Sequence, residues 1–573
     1  MKKYFFTILI LNYFFLTMNL FSQTENQGNS KAAKDNFSLE NYKDALEEYL
    51  NLLKNDSNNL LYNMRVGLCY LNLNIDKSKA IPYLLKASAD PKVENFVWYE
   101  LGRAYLINYK PDEAIKYFKK YYNVTGGKEN YYVSSQRMIQ MCEEAKSKIS
   151  KPVNVTIENA GPEINTAYAE YNPYIPGDES FLVFTSKRAG NTGGMTDFDG
   201  YPTSDIYISY QKYDKWTKAK SVGPLINSEL VEESVGISSD GTKLFIYCDN
   251  YTAMNEVLMS EKKGKSFTKP VYLGENINSS KLETSAAITP DKKYIVFSSD
   301  RNEEAGGMDL YISKKLSNGA WGPAENIGEP VNTIYDEDYP YFSADGKTLY
   351  FCSEGHNSMG GYDIFKSTWN EKDDSWSKPE NLGYPINTTD DDMTISFSST
   401  GRHAYIASSR PGGYGGLDIY KIIFNDIDPA YTILSGTLLN NDSMNIYKAL
   451  ALSDTLQKDS LIQLTDNDLA VKNNDTLVKN NNTTKKIPVD ISVIDKSTQK
   501  VFGKYHPNVL NGKFLIILPP GDYKINVIAE GYEKYSEDIS VSDRNSNTEI
   551  FKDIMLPAIV KEPEIAPVNE QKN

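Results

Sequence analysis

Five times between residues 150 and 425 the chain repeats one run: a strand ending in glycine, an Ile-Asn-Thr type turn, an acidic residue, a strand, an Asp-Gly type turn and a further strand. The turn marks are Ile164-Asn165-Thr166, Ile226-Asn227-Ser228, Ile277-Asn278-Ser279, Val331-Asn332-Thr333 and Ile386-Asn387-Thr388. Their asparagines stand 62, 51, 54 and 55 residues apart, close to the roughly 40 to 50 residues of a four-stranded propeller blade. Asp240-Gly241 and Asp345-Gly346 have the chemistry of hairpin turns with a left-handed residue, and Gly177-Asp178, Pro290-Asp291 and Thr400-Gly401 occupy the matching places. An apolar strand follows each turn, then a hairpin and an Asp-apolar-aromatic strand: Asp205-Ile206-Tyr207, Asp309-Leu310-Tyr311, Asp363-Ile364-Phe365 and Asp418-Ile419-Tyr420, with Glu256-Val257-Leu258 as the departing second copy. Trp216, Phe267, Trp321 and Trp376 lead into outer strands in the first four units, whereas the fifth has none. Val155–Gly161, ending Glu158-Asn159-Ala160-Gly161, matches the outer-strand endings Glu325-Asn326-Ile327-Gly328 and Glu380-Asn381-Leu382-Gly383 yet precedes the first unit. The two ends of the array are therefore expected to complete one blade together, giving a five-bladed β-propeller over 151–427 without open edges.

A chain of 573 residues exceeds a single core, so other domains flank the repeats. The formal net charge of −15 speaks against nucleic acid as a partner. Lys2 and Lys3, an apolar run from Tyr4 to Phe21 and Ser22 before Gln23 read as an export signal over 1–22; the alternative is an uncleaved anchor. No later segment is apolar enough to span a bilayer. The expected location is the periplasm or the periphery of the outer membrane. Cys69, Cys142, Cys248 and Cys352 lack the density of a disulfide framework and read as buried apolar side chains, with Cys69–Cys142 the one pairing inside a single module.

Over 23–150 a helical period replaces the strand period. Trp98, Leu101, Gly102, Tyr105, Ala114, Phe118 and Tyr121 stand in the W-x2-L-G-x2-Y, A-x3-F spacing, and Ala45, Ala80 and Ala114 lie 35 and 34 residues apart. This stretch resembles tetratricopeptide repeats (TPR), with Tyr131–Ile149 as a capping helix. The resemblance implies an α-solenoid whose concave face binds a peptide or partner protein. The large residues themselves read as core.

Residues 155–424 resemble WD-like propeller repeats of the TolB type, in which S-x-D-G, an apolar strand, a Gly-rich hairpin and D-I-Y recur. That resemblance implies a protein-interaction platform of bacterial envelopes. An acidic residue precedes each inner strand: Glu170, Glu233, Glu283, Asp338 and Asp392. Two readings stand. The five ring one mouth of the channel and recognise a basic peptide, an amine or a cation, or each accepts backbone hydrogen bonds that tie its own loop. Asp197-Phe198-Asp199-Gly200 carries carboxylates that could hold calcium, but their spacing is not that of an EF-hand and the segment reads as a solvated loop. Only His356, His403 and His506 are available; none lies in an H-E-x-x-H motif, and G-x-S-x-G and C-x-x-C are absent, so no enzyme, cofactor or metal is expected. His356 and His403 fall at hairpins, where surface histidines are common.

Beyond Tyr431, strand signals at Thr432–Leu439, Val489–Ile494, Lys513–Leu518 and Tyr523–Ala529 flank a polar, Asn-rich insertion over about 440–486 that cannot order itself by burial. Leu518-Pro519-Pro520-Gly521-Asp522-Tyr523 with Ala529-Glu530-Gly531-Tyr532 resembles the carboxypeptidase regulatory-like module, which implies a transthyretin-like β-sandwich over 428–556, before a disordered tail at 557–573. In this order the modules resemble envelope proteins of Bacteroidota associated with type IX secretion and gliding. Those proteins continue into an OmpA-like domain that this sequence does not show, so peptidoglycan binding is not expected. The resemblance implies a non-catalytic scaffold for envelope or secretion-machinery proteins; a sensor or carrier of a cationic ligand at the acidic mouth is the alternative.

Overall fold

The computed structural model describes residues 24–89, 93–129, 131, 133–212, 215–249, 255–302, 307–428, 431–447, 489–508, 511–541 and 548–559. The export signal read over 1–22, residues 448–486 of the polar insertion and residues 560–573 of the tail lie outside them.

Seven helices open the described chain: α1 Thr24–Ser38, α2 Tyr42–Asn55, α3 Leu60–Asn72, α4 Ala80–Ala87, α5 Phe96–Ile107, α6 Pro111–Thr125 and α7 Ser135–Ile149. Their ends follow local chemistry. The side chains of Asn41, Asn59 and Ser134 accept the backbone N–H three residues on, Pro111 opens α6, and Gly126 closes it in the left-handed region. Each helix packs on the next in sequence. Two glycines set the spacing: a Cβ at Gly67 would stand 2.6 Å from Leu84, and one at Gly102 2.6 Å from Phe118. Cys69 and Cys142 are both buried and free, and they belong to separate apolar clusters of the helical region, so the pairing considered from sequence is not formed.

Five antiparallel sheets follow, with the inner strands Glu170–Tyr174, Val231–Ile237, Glu283–Ile288, Glu337–Phe342 and Ile395–Phe397. Neighbouring inner strands abut around a ring, and Tyr341 Oη donates to Phe397 O at 3.0 Å where the fourth blade meets the fifth. The architecture is a β-propeller. Alternating side chains of the middle strands, such as Val183, Ile208, Leu244 and Ile406, interdigitate between blades as one apolar cluster. Strand Val155–Asn159 forms the outer edge of the fifth blade, with Val155 opposite Phe424 and Asn159 opposite Tyr420. The ring is thus closed by a strand that precedes the first blade.

The turns between inner and second strands refine the sequence reading. The left-handed residue is Glu179, Gly241, Lys292, Gly346 and Gly401 in successive blades. The turn pairs are therefore Asp178-Glu179 and Asp291-Lys292, one residue beyond Gly177-Asp178 and Pro290-Asp291, because the left-handed position follows the aspartate and not the glycine or proline.

At the C-terminal end, Thr432–Leu439 pairs antiparallel with Lys513–Leu518 and parallel with Thr548–Phe551. A second sheet runs Lys500–Tyr505, Val489–Asp495, Gly521–Ala529, Tyr535–Val541. Leu434, Phe514 and Ile516 of the first share a buried cluster with Ile491, Val493 and Ile525 of the second. Among the described residues, no helix is long and apolar enough to cross a membrane.

Candidate functional site at the loop face of the propeller

One face of the propeller carries the outer-to-inner connections and the Gly-rich hairpins. Here the repeated Asn performs one task five times. Its amide accepts the N–H and donates to the C=O of the strand-three residue of the blade just completed: Asn165 with Ile419, Asn227 with Ile206, Asn278 with Val257, Asn332 with Leu310 and Asn387 with Ile364, all at 2.8–3.1 Å. The side chain thereby replaces a missing strand partner.

Five residues after each Asn stands a buried carboxylate that receives the turn. Glu170 accepts the N–H and Oγ1 of Thr166, each at 2.7 Å, and Ser186 Oγ at 2.7 Å. Glu283 repeats this with Ser279 and Ser299, and Asp392 accepts Thr388 N at 2.5 Å. In the second and fourth blades the matching residues are Glu232, with Ser228, and Glu337, with Thr333 and Ser353. Of the five residues singled out in sequence, Glu170, Glu283 and Asp392 are therefore equivalent, and Glu233 and Asp338 lie one position on. Adjacent acids, Glu232-Glu233 and Glu337-Asp338, hid the register, which the constant spacing from Asn reveals. Glu233 accepts Tyr171 Oη at 2.7 Å, and Asp338 accepts Thr284 Oγ1 at 2.8 Å and Ser285 Oγ at 2.5 Å from the neighbouring blade. The five do not form a single ring of free carboxylates.

Burial is the largest cause acting on several of these acids, and it raises Asp338 to about 6, Asp363 to about 7, and Glu337 and Glu354 to about 8. Unfolded carboxylates titrate near ~4, so the folded chain binds more protons between that value and about 8 and loses stability as pH rises through this window. Asp240, Asp291 and Asp345, lowered by their hydrogen bonds, titrate below it and do not offset the trend. The melting temperature should be higher at about pH 5.5 than at about pH 8.5, and Glu354→Gln should shrink the difference in a calorimetric pH series.

The helices lie on this loop face. In blades one, three and five an arginine two residues beyond the second strand's serine reaches back to the turn carbonyls: Arg188 to Ile164 O at 2.8 Å, Arg301 to Ile277 O at 2.5 Å and Arg410 to Pro385 O at 2.8 Å. The fourth blade has Gly355 there, since a Cβ would meet Thr333 Oγ1 at 2.3 Å. His356 takes over the bond to Val331 O at 2.9 Å. Arg137 of α7 then fills the remaining space, donating to Glu354 O, Gly355 O and His356 O at 2.8, 2.8 and 3.1 Å and to Ser358 Oγ at 3.0 Å. Lys77 pairs with Asp390 at 2.5 Å, Thr389 Oγ1 donates to Ile107 O at 3.2 Å, and Lys43 Nζ donates to Gly200 O at 2.7 Å. Met359 is buried within the cluster of Tyr99, Leu106 and Cys142. Sequence reading missed Arg137; the exchange of Arg for Gly at 355 was its only signal.

Two further expectations change. Lys187 Nζ sits between Asp197, at 2.9 Å, and Asp199, so the carboxylates considered for calcium hold a side-chain ammonium instead. His403 is fully buried, with Nδ1 2.8 Å from the equally buried Glu179, because its strand is covered by the first blade's left-handed turn. Among the described residues, no group of three or more His, Cys, Asp or Glu is arranged to hold a metal ion.

No family model matches the chain, and no curated protein matches it. Among solved structures it is similar to a Dyadobacter fermentans protein of unknown function, at 12% identity and TM-score 0.31 over 47% of this chain and 98% of the other. The RRP9 WD40 repeats match at 9% identity and TM-score 0.27 over 48% and 98%, and puromycin hydrolase at 11% and 0.26 over 44% and 35%. The propeller assignment rests on strand pairing in this chain and not on these distant likenesses.

Proposed function

We propose that the protein is a non-catalytic scaffold of the bacterial envelope. In this reading the tetratricopeptide-type helices and the TolB-type propeller form one body, the transthyretin-like C-terminal module is a spacer, and partner proteins, including secretion machinery of the type IX kind, bind the surfaces left open. One observation carries it: the helices are keyed into the propeller through Arg137, which suits fixed positioning of partners better than a tethered sensor. It also redirects the expected concave binding face, because Tyr99 and Leu106 of α5 pack on Met359 of the propeller. The alternative, a cationic ligand at an acidic mouth, draws no support from carboxylates already taken up by turn donors. Cross-linking in the native envelope, followed by identification of the attached proteins, tests the proposal. Recovery of a reproducible set of envelope proteins is expected; recovery of the chain alone would sink it.

A further inference from the structure

The outermost strand of each blade presents two residues at equivalent positions, fixed by their pairing with strand three: Lys220-Ser221, Val271-Tyr272, Glu325-Asn326, Glu380-Asn381 and Glu158-Asn159. Four blades guard this edge with a charged and a small polar residue, the usual protection against pairing with another chain. The second blade alone places Val271 and Tyr272 there, 50% and 51% exposed. Beside them runs a groove of about 310 Å³ between the second and third blades. Its floor is apolar, made by Met259, Leu273, Ile288 and Trp321, and Lys243 and Lys315 stand at its sides.

Charge marks the same place. On a chain of net charge −15, Lys263, Lys269 and Lys315 stand on the turns at this end of the second and third blades and make no ion pair among the described residues, whereas Lys262 and Lys265 lie over Phe181 and Tyr210 of the first blade and Lys314 over Tyr294. Lys243, Lys292 and Lys293 nearby are matched by Glu261, Asp240 and Asp291. These turns lie on the face opposite the helices, since inner-to-second and third-to-outer turns share one end of each of the first four blades.

We propose that this edge is a docking site for an extended acidic segment of a partner protein, its backbone pairing along Val271-Tyr272, an apolar side chain entering the groove over Trp321, and its carboxylates meeting the lysines. Edge pairing supplies affinity and the groove supplies side-chain selection; the lysines hasten encounter and make binding salt-dependent. The inference rests on the scaffold reading only in taking the occupant to be a polypeptide. Its test uses purified protein, so it can fail while the envelope cross-linking succeeds, and the reverse.

The probe is a synthetic ten-residue peptide alternating glutamate with valine and carrying one tryptophan, titrated into the full chain and followed by fluorescence anisotropy. Saturable binding is expected, weakened about tenfold or more when salt is raised from low to high. The variant carrying Val271→Glu and Tyr272→Asn, which gives the second blade the pair found in three others and so keeps the fold, should lose at least about tenfold in affinity at an unchanged melting temperature. Absence of binding, equal binding by that variant, or equal binding of a lysine-for-glutamate peptide overturns the proposal. So does stronger, edge-dependent binding to phosphatidylglycerol vesicles, or edge-dependent self-association of the chain, each of which names a different occupant.

Discussion

A chain lacking residues 155–161 should lose its propeller altogether, unfolding at temperatures where the parent is intact. The deletion removes five residues of ladder against Asp418–Phe424 and withdraws Val155 and Ile157 from the largest apolar cluster of the ring. It also removes Asn159, whose side chain receives Asn165 Nδ2 at 2.9 Å and donates to Asp418 at 2.9 Å. Strand Asp418–Phe424 is then left as an unpaired edge, and the apolar cluster beneath Val155 and Ile157 is uncovered. The expected cost exceeds ~5 kcal/mol, comparable to the whole net stability of a domain. Far-ultraviolet circular dichroism on heating, with light scattering to detect aggregation through the freed edge, reads the result. A variant that melts with the parent would show that the closure does not hold the ring.

Arg137→Ala should uncouple the helices from the propeller. Three backbone carbonyls and one hydroxyl would lose a charged donor, a loss of about 1.5–3 kcal/mol, because neutral acceptors remain and Gly355 O keeps Ser358 N. One cooperative calorimetric transition should become two, with the helical part melting first and proteolysis cutting between Ser150 and Val155. Arg137→Lys should fall between the two, because an ammonium reaches fewer of the converging carbonyls than a planar guanidinium. A variant with a single, unshifted transition would refute the coupling.

The propeller was legible because its period is carried by residues with one conformational use each. An Asn that must clamp a strand and a turn that needs a left-handed residue leave marks whatever the surrounding sequence. The closure strand could be found because its Glu-Asn ending copies those of other blades. The candidate site was harder. Where two acids adjoin, at 232–233 and 337–338, composition cannot say which is buried, and only the distance from Asn decides. The interface with the helices depends on side chains more than 200 residues apart, such as Arg137 and Gly355, and no local pattern links them. His403 looked exposed for a similar reason: what buries it is a turn of another blade.

The closing strand has a mechanical consequence. Because Val155 lies opposite Phe424, the chain enters and leaves the propeller at the same end of one ladder. A pull between the helices and the C-terminal sheets would therefore reach that ladder in the peeling direction, loading its hydrogen bonds one after another instead of together. The joint is latched where such a pull would arrive: Asn425 N donates to Asn154 O at 3.1 Å, Asn154 Nδ2 donates to Asp426 at 2.6 Å, Val153 N donates to Tyr384 O at 2.7 Å, and Arg402 donates to Ile427 O. Force transmitted along the chain would have to break these clasps before it could open the ring.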